Sequence, residues 1–435
     1  MEDNKIEEKE KTKGKEFRSV IDKLYDKNDL ENKFTDQCYN GIEKKLDDIF
    51  EKDSNPLSEF QKKLLYFLYL PIHTNNEVLE KQDWLDIVKF EKGQQFARDN
   101  LTGIFLSQLY GLICLLCHQD GLNTLIMTQK SHTPYLAFKR YLSTSEYIRN
   151  WYKENPWNKD TKAHKGILNV RKMHFGVRTK LVGIDENKIK EISAIKNPHC
   201  PVFQPIIDDF STRLPNDSFS DYWYEKYYHN GISTKTSKLR SLNQMDTSYT
   251  LFGFMGFAIL YPSYFGIDEN DDESLENFCY VWRCIGYLLG VDDQTNICCG
   301  SLKEIKNRCQ VYINDIVKPA LRRISPQWEH MMRCIIEGHR YFLMVPSFET
   351  IILLFSEMLD LQMPAFYSSL TFLQRMEYYY MKYFLRFLMK FKFMRYLANK
   401  SLNQAIDKAL HFDHAKIAEL QARSMNSPLH VSVGN

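Results

Sequence analysis

Glycine and proline are scarce in this sequence, whose 435 residues include 18 Gly and 14 Pro. Turn-rich β proteins need both residues at many loop positions, so the scarcity disfavours a β fold. Charge of one sign is not in excess either, because 57 Lys and Arg face 55 Asp and Glu. The N-terminus lacks the apolar core of a signal sequence, since eleven of its first sixteen residues are charged. We therefore expect a helical protein that is not conventionally secreted and does not bind nucleic acid.

Several catalytic motifs are also missing. No Gly-x-Gly-x-x-Gly follows a strand, and there is no Walker loop, Gly-x-Ser-x-Gly elbow or His-Glu-x-x-His sequence. These absences argue against nucleotide chemistry and simple hydrolysis. The ten cysteines are scattered, and Cys114 and Cys117 lie in an apolar run, which predicts reduced, buried thiols in a cytosolic environment rather than a zinc or redox site.

Aromatic residues, in contrast, are plentiful, with 28 Phe and 26 Tyr, as expected for long helices around a bulky core. Two uncharged runs, 101–119 and 247–267, reach membrane-spanning length. The first contains Thr, Ser, Gln and His, and the second contains Gly253, Gly256 and Pro262. This polarity favours buried helices over membrane insertion, although both remain open.

Composition divides the chain into four parts. Residues 1–55 form a charged N-terminal arm, and 56–345 carry the apolar segments expected of a helical domain. Residues 346–400 are aromatic and basic, which predicts C-terminal helices, and 401–435 are a polar tail.

The segment 162–180 places three polar side chains on its apolar face. In a helical projection the lysines share one side, and the other side holds Ile167, Leu168, Val170, Phe175 and Val177. His174, Arg171 and Arg178 fall within this apolar arc. Buried arginine is rare without an anionic partner, so the arc indicates an anionic group inside the fold. A single buried histidine, however, is most often a satisfied core residue.

A second helix, which is expected to begin at Pro134, repeats this pattern. Arg140 and Thr144, one turn apart, lie on the apolar side, which predicts an inward arginine. The solvent side is predicted to hold Lys139, Glu146, Arg149 and Asn150. An internal salt bridge to a carboxylate is the alternative explanation for Arg140.

A third helix, over 274–290, groups large apolar side chains around a glycine. Its apolar face holds Leu275, Phe278, Trp282, Ile285 and Leu289, with Gly286 among them and Gly290 at the end. Glycine within a helix face indicates close approach of another helix or of a flat group, and helix packing is the commoner cause.

Bound haem would explain the unusual residues of all three helices. It offers iron to His174, propionates to the arginines and a flat apolar disc to Gly286 and Trp282. The sequence Val-Arg-Lys-Met-His-Phe-Gly-Val-Arg at 170–178, the Arg140-x-x-x-Thr144 pair and Tyr-Val-Trp-Arg-x-x-Gly-Tyr-Leu-Leu-Gly at 280–290 resemble the rubber oxygenase and mpaB family of haem oxygenases. This family includes bacterial latex-clearing proteins and an ER-bound fungal enzyme that cleaves an isoprenoid side chain. The resemblance covers about 90–345.

The resemblance implies an all-α protein with a globin-like helical core and extra N- and C-terminal helices. It implies haem b with His174 as the proximal iron ligand, Arg140 and Thr144 beside the distal side, and dioxygen as co-substrate. Arg171 and Arg178 are then expected at the propionates. The implied reaction is oxidative cleavage of a C=C bond in a hydrophobic isoprenoid or lipid-like substrate.

Two departures from the family pattern bear on the reaction. Ser143 stands where latex-clearing proteins have a lysine, and residues 121–130 contain no carboxylate where their proposed base lies. We expect haem binding to survive both changes. The resemblance does not imply polyisoprene cleavage by the same base, because that carboxylate is missing here. A non-catalytic haem sensor and a haem-free membrane-surface binding protein of the same fold are the alternatives.

The segment 371–399 predicts an amphipathic helix that lies on a membrane surface. In projection its basic stripe holds Arg375, Lys382, Arg386 and Lys390, and the opposite stripe holds Leu373, Met376, Tyr380, Phe384, Phe387, Leu388 and Phe391. A basic stripe opposite Phe and Leu is typical of an interfacial helix. A terminal helix docked on the core is the alternative. We expect the protein in the cytoplasm or on the cytoplasmic face of an endomembrane such as the ER.

Overall fold

The computed structural model describes residues 58–68, 70, 72, 81–181, 184, 186–214 and 242–433. Within these ranges the chain is all-α, as predicted, and an isolated β-bridge joins Ile195 to Val433. The predicted charged arm at 1–55 lies outside the described residues.

The described helices are named here in chain order. They are α1 (Glu59–Phe67), α2 (Ile87–Asp99), α3 (Leu101–Cys117), α4 (Gln119–Met127), α5 (Pro134–Trp151), α6 (Lys162–Leu181), α7 (Glu186–Ile192), α8 (Phe203–Arg213), α9 (Gln244–Leu260), α10 (Asp272–Leu288), α11 (Leu302–Val311), α12 (Lys318–Leu321), α13 (Pro326–Arg340), α14 (Phe348–Met358), α15 (Pro364–Ser369), α16 (Phe372–Arg386), α17 (Lys392–Leu410) and α18 (His414–Met425). A π turn, Tyr312–Val317, joins α11 to α12, and 3-10 turns follow α9 and α16.

The two uncharged runs form the centre of the fold. They become α3 and α9, which pack on each other and are almost entirely buried. A Cβ atom added at Gly111 would lie 2.6 Å from the Cα of Gly253, so the absence of two side chains sets how closely these helices cross. Among the described residues no single helix is long and apolar enough to cross a membrane, and only α2 with α3, bent by 89°, meets the length and composition criteria as a pair.

The predictions for α10 are confirmed. Its residues Leu275, Phe278, Trp282 and Ile285 are buried, and the left-handed backbone of Gly290, with φ of 100°, ends the helix. A Cβ at Gly286 would lie 2.6 Å from Cδ1 of Leu251 in α9, so a neighbouring helix occupies the space beside this glycine.

The solvent side predicted for α5 is wrong at two positions. Arg149 and Asn150 are buried, because α17 packs across this end of α5. Arg149 forms an ion pair with Asp407 of α17 at 2.6 Å and donates to the carbonyl of Asn403.

The apolar side predicted for α6 is also only partly correct. Ile167 is buried against the core, but Leu168 and Phe175 are exposed. Helix α6 packs mainly on α5, where Gly166 lies under Tyr147 and Trp151. Among the described residues, fewer apolar side chains therefore cover the second half of α6.

The C-terminal residues belong to the main core. The segment 401–435, polar in composition, includes most of α17 and all of α18, and Leu402, Ile406 and Leu420 are part of the central apolar cluster. The single helix predicted over 371–399 is wrong, because the chain turns at Leu388–Lys390 between α16 and α17.

Candidate functional site

His174 lies in the second half of α6, within electrostatic range of Arg140 on α5. Its Nδ1 atom is buried and makes no hydrogen bond to any described residue. Burial, and to a smaller extent the positive charge of Arg140, lowers the pKa of His174 to about 4. The imidazole is therefore neutral near pH 7, the state in which histidine binds a metal ion.

Arg140 and Thr144 lie one turn apart on the neighbouring helix. Nη1 of Arg140 donates to Oγ1 of Thr128 at 3.1 Å, and Oγ1 of Thr144 donates to the Arg140 carbonyl at 3.0 Å. Within the described ranges Arg140 forms no ion pair with a carboxylate, so the predicted alternative of an internal salt bridge is not observed there. Most of its guanidinium N–H groups remain available to an anion.

An apolar pocket opens beside Thr144, between α3, α5, α9 and α13. Its cavity volume is about 60 Å³. Its walls are formed by Phe105, Gln108, Leu109, Leu112, Leu115, Tyr141, Thr144, Ser145, Ile148, Gly253, Phe254 and His339. Such a lining, apolar with a few polar groups, has the chemistry to contact a small hydrophobic group.

His339 is a pocket residue that sequence reasoning did not identify. Its Nδ1 donates to the carbonyl of Ile335 at 2.8 Å, and burial lowers its pKa to about 4. The ring is therefore neutral with its proton on Nδ1, which makes Nε2 an acceptor. Nothing in the local sequence signals this role, since a lone histidine in an apolar helix has the same pattern.

The other two predicted arginines contact the main chain. Nη1 of Arg171 donates to the carbonyl of Leu288, in the last turn of α10, at 2.9 Å. Nη1 of Arg178 donates to the carbonyl of Ile72 at 3.4 Å. A cation at a helix C-terminus is stabilising, so Arg171 has a structural role in this arrangement. The assignment of both side chains to propionates remains a prediction.

Two surfaces expected to receive a flat ligand are covered by protein. The ring of Trp282 stacks on Phe254 with centroids 4.5 Å apart, and Leu251 fills the space at Gly286. His174 and Arg140 have the chemistry to hold an iron ion and an anionic group, whereas Trp282 and Gly286 are packed against protein and leave no surface for a flat ligand.

The remaining candidates for metal or redox chemistry have other environments. Burial raises the thiol pKa of Cys114 and Cys117, as predicted for core residues. The part of the chain that the structure describes holds no cluster of three or more His, Cys, Asp or Glu side chains suited to a metal ion. Nδ1 of His164 contacts the carbonyl of Pro156 at 2.9 Å, which leaves it less available as a ligand than His174.

Comparisons of the chain with protein-family models, with curated proteins and with solved structures find no match.

Proposed function

We propose that this protein is a haem b-dependent oxygenase, or a related oxidoreductase, that acts on a hydrophobic unsaturated substrate. The observation that carries the proposal is His174, a neutral imidazole with a buried and unbonded ring nitrogen, whose helix packs on the helix that bears Arg140. An unsatisfied buried polar atom costs about 1–3 kcal/mol, which a ligand that satisfies it would recover. The resemblance to the rubber oxygenase and mpaB family points to the same residues.

Each side chain has a role that follows from its surroundings. His174 offers a neutral ring nitrogen to iron, and Arg140 offers charged N–H donors to an anionic group. The hydroxyl proton of Thr144 is engaged by the Arg140 carbonyl, so the hydroxyl oxygen of this pocket residue is left to act as an acceptor. When bound, haem b supplies the iron at which dioxygen is activated.

The pocket lining supports a hydrophobic substrate. The wall includes Leu109, Leu112, Leu115 and Phe254, and no charged side chain is among its residues. Apolar walls exclude water, which protects reactive oxygen species from side reactions. Nε2 of His339 can accept a proton within this wall, a capacity that the missing family carboxylate would otherwise supply.

The absorption spectrum of the purified chain tests haem binding. We expect a Soret band, as isolated or after haemin addition, that shifts on reduction. His174→Ala should lose it while the far-ultraviolet circular dichroism persists, and His330→Ala is the matched control that removes a buried imidazole outside the pocket. An unchanged spectrum in His174→Ala places the ligand elsewhere, for which His132, His164 and His199 are the nearest candidates in sequence. A protein that stays colourless with haemin refutes the proposal.

Oxygen uptake separates an oxygenase from a haem sensor. The haem-loaded protein should consume dioxygen when unsaturated lipids or isoprenoids are added, and saturated analogues of equal length should have no effect. Arg140→Leu should retain haem absorption but lower turnover. A red protein that consumes no oxygen with any unsaturated candidate favours the sensor.

A further inference from the structure

Helices α16 and α17 expose an unusual amount of apolar surface. Phe372 and Leu373 are 75% and 78% exposed, and Phe393 is 68% exposed. The exposed set, called here the aromatic face, comprises Phe372, Leu373, Met376, Tyr379, Tyr380, Tyr383, Phe387, Phe391, Phe393, Tyr396 and Leu397. On both helices these positions recur every three or four residues, which places them on one side of each helix.

The opposite side of α16 holds the helix to the protein body. Glu357 of α14 pairs with Lys382 at 2.7 Å and with Arg386 at 2.5 Å, and it also accepts a hydrogen bond from Tyr378. Leu385 is buried between these contacts. The helix is therefore docked through Lys382 and Arg386 of its predicted basic stripe, and its aromatic stripe points outward.

The aromatic face is continuous across the turn between the two helices. The rings of Tyr383 and Phe387 stack with centroids 5.1 Å apart, and Phe387 meets Phe391 edge to face at 5.7 Å. Arg395 fixes this turn by donating to the carbonyls of Gly266 and Met389. A contiguous exposed apolar surface of this kind marks an interaction site.

Charge around the face identifies the partner. Residues 371–400 contain seven Lys or Arg, two of which, Lys382 and Arg386, are paired with Glu357. Their one carboxylate, Glu377, is turned inward to accept from Ser347 and Thr350. Lys390, Lys392 and Lys400 are exposed beside the aromatic rings. Tyr and Phe rings flanked by lysines are typical of surfaces that enter the interface of an anionic bilayer.

We propose that the aromatic face docks this protein onto an anionic lipid bilayer. A second copy of the chain is a poorer occupant, because a symmetric contact would bring the exposed lysines of the two copies together. The proposal does not depend on haem binding, and it would place the protein where hydrophobic substrates are dissolved.

Vesicle flotation of the full chain tests the proposal. The wild type should float with phosphatidylcholine vesicles that contain phosphatidylserine, less with phosphatidylcholine alone, and less at high salt. A fourfold variant removes apolar contacts at exposed positions only: Phe372→Ser, Leu373→Ser, Phe391→Ser and Phe393→Ser. Its partition coefficient should fall at least about tenfold, since each buried apolar side chain adds to interfacial binding.

Two further variants separate the contribution of the aromatic face from that of the exposed lysines and of other exposed apolar residues. Val88→Ser with Met344→Ser removes exposed apolar residues outside the segment and should bind vesicles as the wild type does. Lys390→Glu with Lys392→Glu should abolish the preference for phosphatidylserine. The proposal is overturned if the wild type does not float with anionic vesicles at low salt, or if the fourfold variant floats equally. The aromatic face would instead be a contact between copies of the chain if neither protein floats, the wild type sediments as a dimer and the fourfold variant sediments as a monomer.

Discussion

The crossing of α3 and α9 supports a quantitative prediction about stability. A Cβ at Gly111 would lie 2.6 Å from the Cα of Gly253, well inside an ordinary contact, and the obstacle is backbone that cannot rotate away. The helices would have to separate by about 1 Å, and overpacking of this kind costs about 3 kcal/mol. Alanine regains about 1 kcal/mol of helix propensity. We therefore expect Gly111→Ala to lower the free energy of unfolding by about 2 kcal/mol.

Gly176 of α6 provides the matched control. The same substitution there meets nothing within 4 Å, so only the propensity gain remains. Gly176→Ala should raise the free energy of unfolding by about 0.5–1 kcal/mol. Urea unfolding followed by circular dichroism measures both. Equal stability of the two variants would contradict the close helix crossing, and with it the shape of the pocket that Gly253 lines.

Two further predictions concern the buried side chains of His339 and Arg171. Burial lowers the pKa of His339 from 6.5 to about 4. Between these two pH values the imidazole is therefore protonated in the unfolded chain but neutral in the folded protein. The free energy of unfolding should therefore fall as the pH drops from 6.5 towards 4, and this ring should account for about 2 kcal/mol of the loss at pH 5. His339→Gln should remove this contribution. A variant whose stability depends on pH as steeply as that of the wild type would refute the prediction. Arg171→Met should destabilise even the haem-free protein by about 1–2 kcal/mol, because the carbonyl of Leu288 loses its donor. Unchanged unfolding with weakened haem affinity would instead support the propionate assignment.

Much of the helical architecture was readable from local sequence. Thr133 with Pro134 begins α5, and Gly290 ends α10, because caps depend only on neighbouring residues. The uncharged runs became the buried helices α3 and α9, since polar residues within them disfavour a lipid environment. The same periodicity placed His174 and Arg140 on sides of α6 and α5 that face the protein, and the structure brings them within electrostatic range of each other.

The sequence by itself determined that this chain is helical and which helices carry inward polar groups. Only the tertiary structure decided which side of α16 is covered, because Glu357, the partner of Lys382 and Arg386, lies on a different helix. It also decided that Arg149 is buried and that His339 lines the pocket, since both depend on how α17 and α13 pack across α5. Periodicity along one helix reports two sides of different polarity, but the helices packed against it determine which side meets water.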